Sequence, residues 1–103
     1  MKLDVFGRIT LLNILPREGN FSTLKILRDL KEDLSFDEAE NKALQFKFHE
    51  NGRVDWITEA DKEKDINIGE KANDIIVDAL KLLDKKKKLT EDHFSLYERF
   101  VGE

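Results

Sequence analysis

Leu44-Gln45-Phe46-Lys47-Phe48-His49-Glu50-Asn51-Gly52-Arg53-Val54-Asp55-Trp56 is where the hydrophobic period of the chain changes from 3.6 to 2, and its reading decides the fold. Apolar Leu44, Phe46 and Phe48 alternate with polar residues, and Val54 and Trp56 do so after the Asn51-Gly52 turn signal. A two-residue loop would set Phe48 against Asp55 and split the apolar residues between faces, which the register rule rejects. A three-residue loop, Glu50-Asn51-Gly52, with Gly52 left-handed, pairs Phe48 with Val54, Phe46 with Trp56 and Lys47 with Asp55. The hairpin then has one apolar face and one polar face carrying a cross-strand Lys47–Asp55 pair.

Upstream the period is helical. Val5, Phe6, Ile9, Leu11, Leu12, Ile14 and Leu15 spread over more than half a circumference, the mark of a central helix over Asp4 to Leu15, with Asp4 as N-cap and Pro16 as its stop. A second helix follows Asn20 or Ser22, with Leu24, Ile26, Leu27, Leu30 and Leu34 as its inner stripe. Ser35-Phe36-Asp37-Glu38 reads as a capping box, starting a short third helix at Phe36 with Phe36, Ala39, Ala43 and Leu44 inward. Downstream, Lys64 to Gly69 alternates and is expected to add Ile66 and Ile68 to the hairpin as a third strand. Glu70 to about Lys86 is an amphipathic helix with Ala72, Ile75, Ile76, Ala79, Leu80 and Leu83 inward; Lys85 to Lys88 offset its dipole. Thr90 caps a last helix to Val101, with Gly102 at its end.

The expected fold is therefore α+β, a single domain over residues 1–103. It has three N-terminal helices in helix-turn-helix or winged-helix-like order, a small antiparallel sheet of two to three strands, and two C-terminal helices.

Composition closes off whole classes of function. The 103 residues include no cysteine, which excludes disulfide frameworks, Cys-based zinc sites and thiol nucleophiles. The longest apolar run, Ile75-Ile76-Val77, is too short for a membrane span or a signal peptide. The chain start looks native, and a soluble, cytoplasmic protein is expected.

Chemistry-bearing motifs fail one by one. Asp61, Glu63 and Asp65 are spaced like early EF-hand ligands, but Ile66 and Ala72 stand where that loop needs Gly and a bidentate acid. His49 and His93 lie in no metal-binding spacing; Ser22, Ser35 and Ser95 are in no nucleophile motif. The five glycines are isolated, so no phosphate loop exists, and Glu70 and Asp74 would compete with an anion at the helix following Gly69. The reading is of a non-enzymatic protein with no cofactor and no metal.

Residues 4–57 follow the element order of a winged helix, whose third helix would enter the major groove. Here that helix carries Asp37, Glu38 and Glu40 against one Lys42, opposite to what phosphate contact demands. The net charge of −4 also divides unevenly. Residues 1–34 carry six basic and five acidic groups, residues 35–70 five and ten, and residues 71–103 seven and seven. All the acidic excess lies in the middle third, which attracts a basic protein surface and repels nucleic acid. The last helix supplies a second candidate surface through Phe94, Tyr97 and Phe100, fit for a partner or a homodimer contact.

The segment Leu11 to Phe21, with Ser35-Phe36, Ile68-Gly69-Glu70-Lys71-Ala72 and the ending Leu89-Thr90 to His93-Phe94-Ser95-Leu96-Tyr97-Glu98, resembles small, uncharacterised proteins encoded in bacteriophage and prophage genomes. The resemblance implies binding to a host protein or a role as an assembly component. The leading expectation is thus a protein-protein interaction protein using Asp37, Glu38 and Glu40 or Phe94, Tyr97 and Phe100. The alternative is a winged-helix-like nucleic-acid-binding or regulatory protein.

Overall fold

The computed structural model describes residues 1–102. Along the chain it places β1 (Lys2–Leu3), α1 (Val5–Ile14), α2 (Phe21–Leu34), α3 (Glu38–Leu44), β2 (Lys47–Phe48), β3 (Val54–Asp55), a 3-10 turn (Thr58–Ala60), β4 (Lys64–Asp65), α4 (Glu70–Lys85) and α5 (Glu91–Phe100). It is a helix-rich α+β fold with two small antiparallel sheets, β1–β4 and β2–β3.

α1, α2, α3 and α5 begin where a side chain satisfies an otherwise orphaned N–H, whereas α4 starts at Gly69, which has no side chain to offer. Asp4 accepts from Gly7 N–H at 2.7 Å and Asn20 from Thr23 N–H at 2.8 Å. At α5 the His93 Nδ1 accepts from the N–H of Thr90 at 3.0 Å. The lysine run closes α4: Lys87 is left-handed (φ 57°), and the N–H groups of Lys87 and Lys88 donate to Asp84 and Leu83 carbonyls, a Schellman motif with lysine where glycine usually stands.

α1 is central and packs on α2, α4 and α5. Its Leu11 and Leu15 join Leu27, Leu30 and Leu34 of α2, Ile76 and Leu80 of α4, and Leu96 of α5 in one core, with Leu3 and Ile66 from the β1–β4 sheet. The inward stripes of α2 and α4 agree with this, except that Leu24 is exposed and Ile26, Ile75, Ala79 and Leu83 are half-buried.

The hairpin register is Lys47 opposite Asp55 and Phe48 opposite Val54, with Gly52 left-handed at φ 84°. It is the three-residue-loop register. The Lys47–Asp55 pair, however, does not form as an ion pair: Asp55 is bound on the same face by His49 Nε2 at 2.8 Å and Arg53 Nε at 3.1 Å. Those two groups take one carboxylate oxygen each.

Three further expectations need correction. The segment after Lys64 does not extend the hairpin; Lys64 and Asp65 pair with Leu3 and Lys2, and the N–H of Ile66 donates to the Met1 carbonyl at 2.7 Å. Burial decides this, because the exchange places both Leu3 and Ile66 in the main core. The capping box of α3 lies two residues later than Ser35. Glu40 N–H donates to Asp37 at 2.8 Å and Asp37 N–H to Glu40 at 3.1 Å, while the Ser35 hydroxyl is taken by the Lys31 carbonyl at 2.6 Å. Ala39 and Ala43 are exposed rather than inward, since this seven-residue helix turns Glu40 and Leu44 toward the body of the protein.

The division between core and surface on α4 is sharp. Leu80→Ala is expected to lower the unfolding free energy by about 2–5 kcal/mol, whereas Leu82→Ala, half a turn away and 51% exposed, should cost less than about 1 kcal/mol. Urea denaturation of the two variants measures the difference.

Candidate functional site

The candidate surface is built outward from one buried cation. Arg8, on the inner side of α1, is 0% exposed. Its Nε donates to the Leu34 carbonyl at 3.0 Å, one Nη to Glu40 at 2.5 Å, and the other to the Ser35 carbonyl at 2.5 Å and Glu40 at 3.3 Å. The guanidinium also lies 4.0 Å from the centre of the Phe36 ring, a cation–π contact in a desolvated place. One side chain thereby joins α1, the end of α2 and the start of α3. Its Glu40 partner has its pKa lowered, chiefly by the Arg8 hydrogen bond and further by the Asp37 N–H and the charges of Arg8 and Lys64, against an opposing effect of burial.

From Phe36 an aromatic relay runs into the hairpin. Phe36 meets Phe46 edge-on at 4.9 Å, Phe46 meets Trp56 edge-on at 6.2 Å, and Phe48 lies 6.4 Å from Phe46. The Trp56 indole N–H donates to Asp61 at 3.2 Å, and the other oxygen of Asp61 accepts from the N–H of Val5 at 3.1 Å, where a carboxylate also suits the positive end of α1. The hairpin is therefore fixed at Phe46 and Trp56. Among the described residues the backbone of its strands lies close to no other element, and Phe48 ends the relay at 79% exposed. Ile9, Phe36, Phe46, Phe48 and Val54 line an apolar cleft of about 200 Å³ with Asn41 at its edge.

α3 separates this cleft from a second, larger groove. Ala39 and Ala43 face Ala60 and Val5 across a space of about 540 Å³, rimmed by Glu59, Glu63, Lys62 and Lys64. The walls are small and apolar and the rim is charged. Among the described residues no group of three or more His, Asp or Glu is placed to hold a metal ion, and no helix is long and apolar enough to cross a membrane.

The residues singled out in the sequence fall into two places. Asp37, Glu38 and Glu40 share the first turn of α3, but only Glu38 faces solvent without a structural task beyond a 3.8 Å pairing with Lys42; Asp37 caps α3 and Glu40 holds Arg8. Phe94, Tyr97 and Phe100 belong to α5, which α3 does not touch. Tyr97 and Phe100 pack against the core, and the Tyr97 hydroxyl donates to Asp84 at 3.2 Å; Phe94 alone is exposed, at 66%.

The acidic middle third divides similarly. Of its ten acids, Asp37, Glu40, Asp55, Asp61 and Asp65 are bonded inside the fold. Glu38, Glu50, Glu59, Glu63 and Glu70 are solvent-exposed. The exposed aromatic end of the hairpin escaped the sequence reading, although a hairpin whose third strand goes elsewhere has nothing to cover its face. Arg8 escaped too; its signal is a lone cation between the apolar positions Val5 and Leu11.

Arg8→Ala, which leaves Glu40 and two carbonyls without their donor, is expected to destabilise the protein by about 3–5 kcal/mol. Because the folded pKa of Glu40 is lowered, its contribution is fully present above the range where a free glutamate titrates and is lost as pH falls through the folded value. Acid denaturation of Glu40→Gln should therefore show a shallower loss of stability than the parent across that range.

Comparison of the chain with protein-family models, with curated proteins and with solved structures finds no match in any of the three.

Proposed function

We propose that this chain is a non-enzymatic protein-binding module whose contact surface is the aromatic face of the hairpin together with the acidic flank of α3. The observation that carries the reading is Phe48, a large aromatic left 79% exposed on a face where Phe36, Phe46 and Val54 already form an apolar cleft. Interface cores are enriched in aromatic residues, and an apolar patch with a polar rim marks an interaction site. Glu38, Glu59 and Glu63 lie on α3 and around the neighbouring groove, so the matching partner is a protein surface with an apolar centre and basic surroundings. The resemblance to phage and prophage proteins makes a host protein in the cytoplasm, or an assembly component, the natural occupant.

The alternative, nucleic-acid contact through α3 and the hairpin, draws on the same elements with weaker support. Lys42 is the one cation of α3 and lies 3.8 Å from Glu38, and Arg53 is paired with Asp55 at 3.1 Å.

A photo-crosslinking residue at position 48 is expected to yield a discrete protein adduct in cells expressing the chain, and the same residue at position 94 none. Adding Glu38→Lys should abolish the adduct while moving the melting temperature by less than about 4 °C. An adduct from position 94 alone, or none from either, overturns the reading, and a nucleic-acid adduct at position 48 favours the alternative.

A further inference from the structure

The face of the hairpin is one surface and its edge another. In the β2–β3 ladder the N–H of His49 donates to the Arg53 carbonyl at 2.8 Å, so 49/53 is a hydrogen-bonded pair. Antiparallel pairs alternate, and Lys47/Asp55 is therefore bonded while Phe48/Val54 is not. The backbone N–H and C=O of Val54 consequently point away from β2. Among the described residues the backbone of no element other than β2 lies beside β3, and the backbone groups of Val54 find no partner outside the ladder, leaving them on an open edge.

Open edges are normally defended by shortness, by charged side chains, lysine above all, by proline or by a bulge; β3 is short and, with Arg53 just before it, carries charge of both signs. Among the described strands, β1, β2 and β4 carry Lys2, Lys47 and Lys64, and β3 carries neither lysine nor proline. With the residue before it, its sequence, Arg53-Val54-Asp55, is also self-complementary. Laid antiparallel on itself about Val54, it sets Arg53 opposite Asp55 twice, once on each side of the centre, and Val54 opposite Val54. The same operation on β2 sets Lys47 against His49 and Phe46 against Glu50, with no charge match.

We propose that two copies of this chain join edge to edge along β3, in a two-fold register centred on Val54. Each Val54 exchanges two backbone hydrogen bonds with its equivalent. Arg53 of one copy meets Asp55 of the other in the closely spaced, non-bonded pairs that flank the centre. The two-fold axis stands perpendicular to the sheet, so both apolar faces lie on the same side. A row of Phe48, Val54, Val54 and Phe48 then crosses a four-stranded sheet, which is more stable in water than an isolated two-stranded hairpin. A second copy occupies the edge, whereas the protein partner proposed above occupies the face. Crosslinking at position 48 to another protein and self-association can therefore succeed or fail separately.

Light scattering on the intact chain at roughly 0.1 mM, well above a micromolar Kd, decides the first step. The expected mass is twice the 12.0 kDa of one chain, and a mass of one chain at that concentration overturns the proposal. The register is tested by Arg53→Asp and Asp55→Arg, made separately and checked by thermal melting for folding. Each sets like charges opposite each other in the self-pair and is expected to weaken association about tenfold or more. Mixed in equal amounts, the two variants place opposite charges in every pair and should recover the dimer. Self-association of both variants unchanged from the parent, or no recovery on mixing, overturns the β3 register.

Discussion

A guanidinium with no access to water governs how this protein is assembled. Burying a cation is tolerable only when it is paired and its donors are satisfied, and the satisfaction of Arg8 needs partners from three segments at once. Two backbone carbonyls at the end of α2 and the Glu40 carboxylate supply them. Those requirements fix where α2 must stop, how the chain must turn through Ser35 and Phe36, and which residue of α3 must face inward. The helices supply cohesion through Leu11, Leu27, Leu34, Ile76 and Leu80; the arginine supplies the alignment of the middle of the chain upon them.

This arrangement changes the meaning of the acidic middle third. As a sum, five surplus negative charges over residues 35–70 look like one continuous electrostatic face. In three dimensions half of the acids each satisfy a donor within the fold: Arg8, the N-termini of α1 and α3, the His49–Arg53 pair, the Trp56 indole and the N-terminal ammonium. Asp55 and Asp65 have lowered pKa values for the same reason, the former chiefly through the His49 hydrogen bond and the latter through the N-terminal ammonium. The five exposed glutamates add outward negative potential that borders apolar surface at the Ala39–Ala43 groove.

The hairpin register was legible because period-2 alternation and loop length constrain each other: only one loop keeps Phe46, Phe48, Val54 and Trp56 on one side. The helices were legible from their stripes and caps. The start of α3 was not, because Ser35…Glu38 and Asp37…Glu40 spell the same local pattern two residues apart. The choice between them depends on Arg8, twenty-seven residues from Ser35. The partner of β4 was hidden for a similar reason, since Lys2–Leu3 is too short to announce a strand and its pairing spans most of the chain. On the candidate site, composition located the acids of α3 and the aromatics of α5. Exposure depends on which neighbours arrive, and that selected Phe48 and Phe94 while burying part of Tyr97 and Phe100.

The bridge formed by Asp61 gives the protein an internal optical reporter. Trp56 is the sole tryptophan, and its indole N–H is held by the carboxylate that also meets the first N–H of α1. Indole emission therefore responds to the seating of the hairpin on the helical body, whereas far-ultraviolet circular dichroism responds mainly to the helices themselves. Any event that lifts or shields the hairpin while the helices stay intact will appear in one signal and not in the other. The two spectra separate local from global transitions in the unmodified chain.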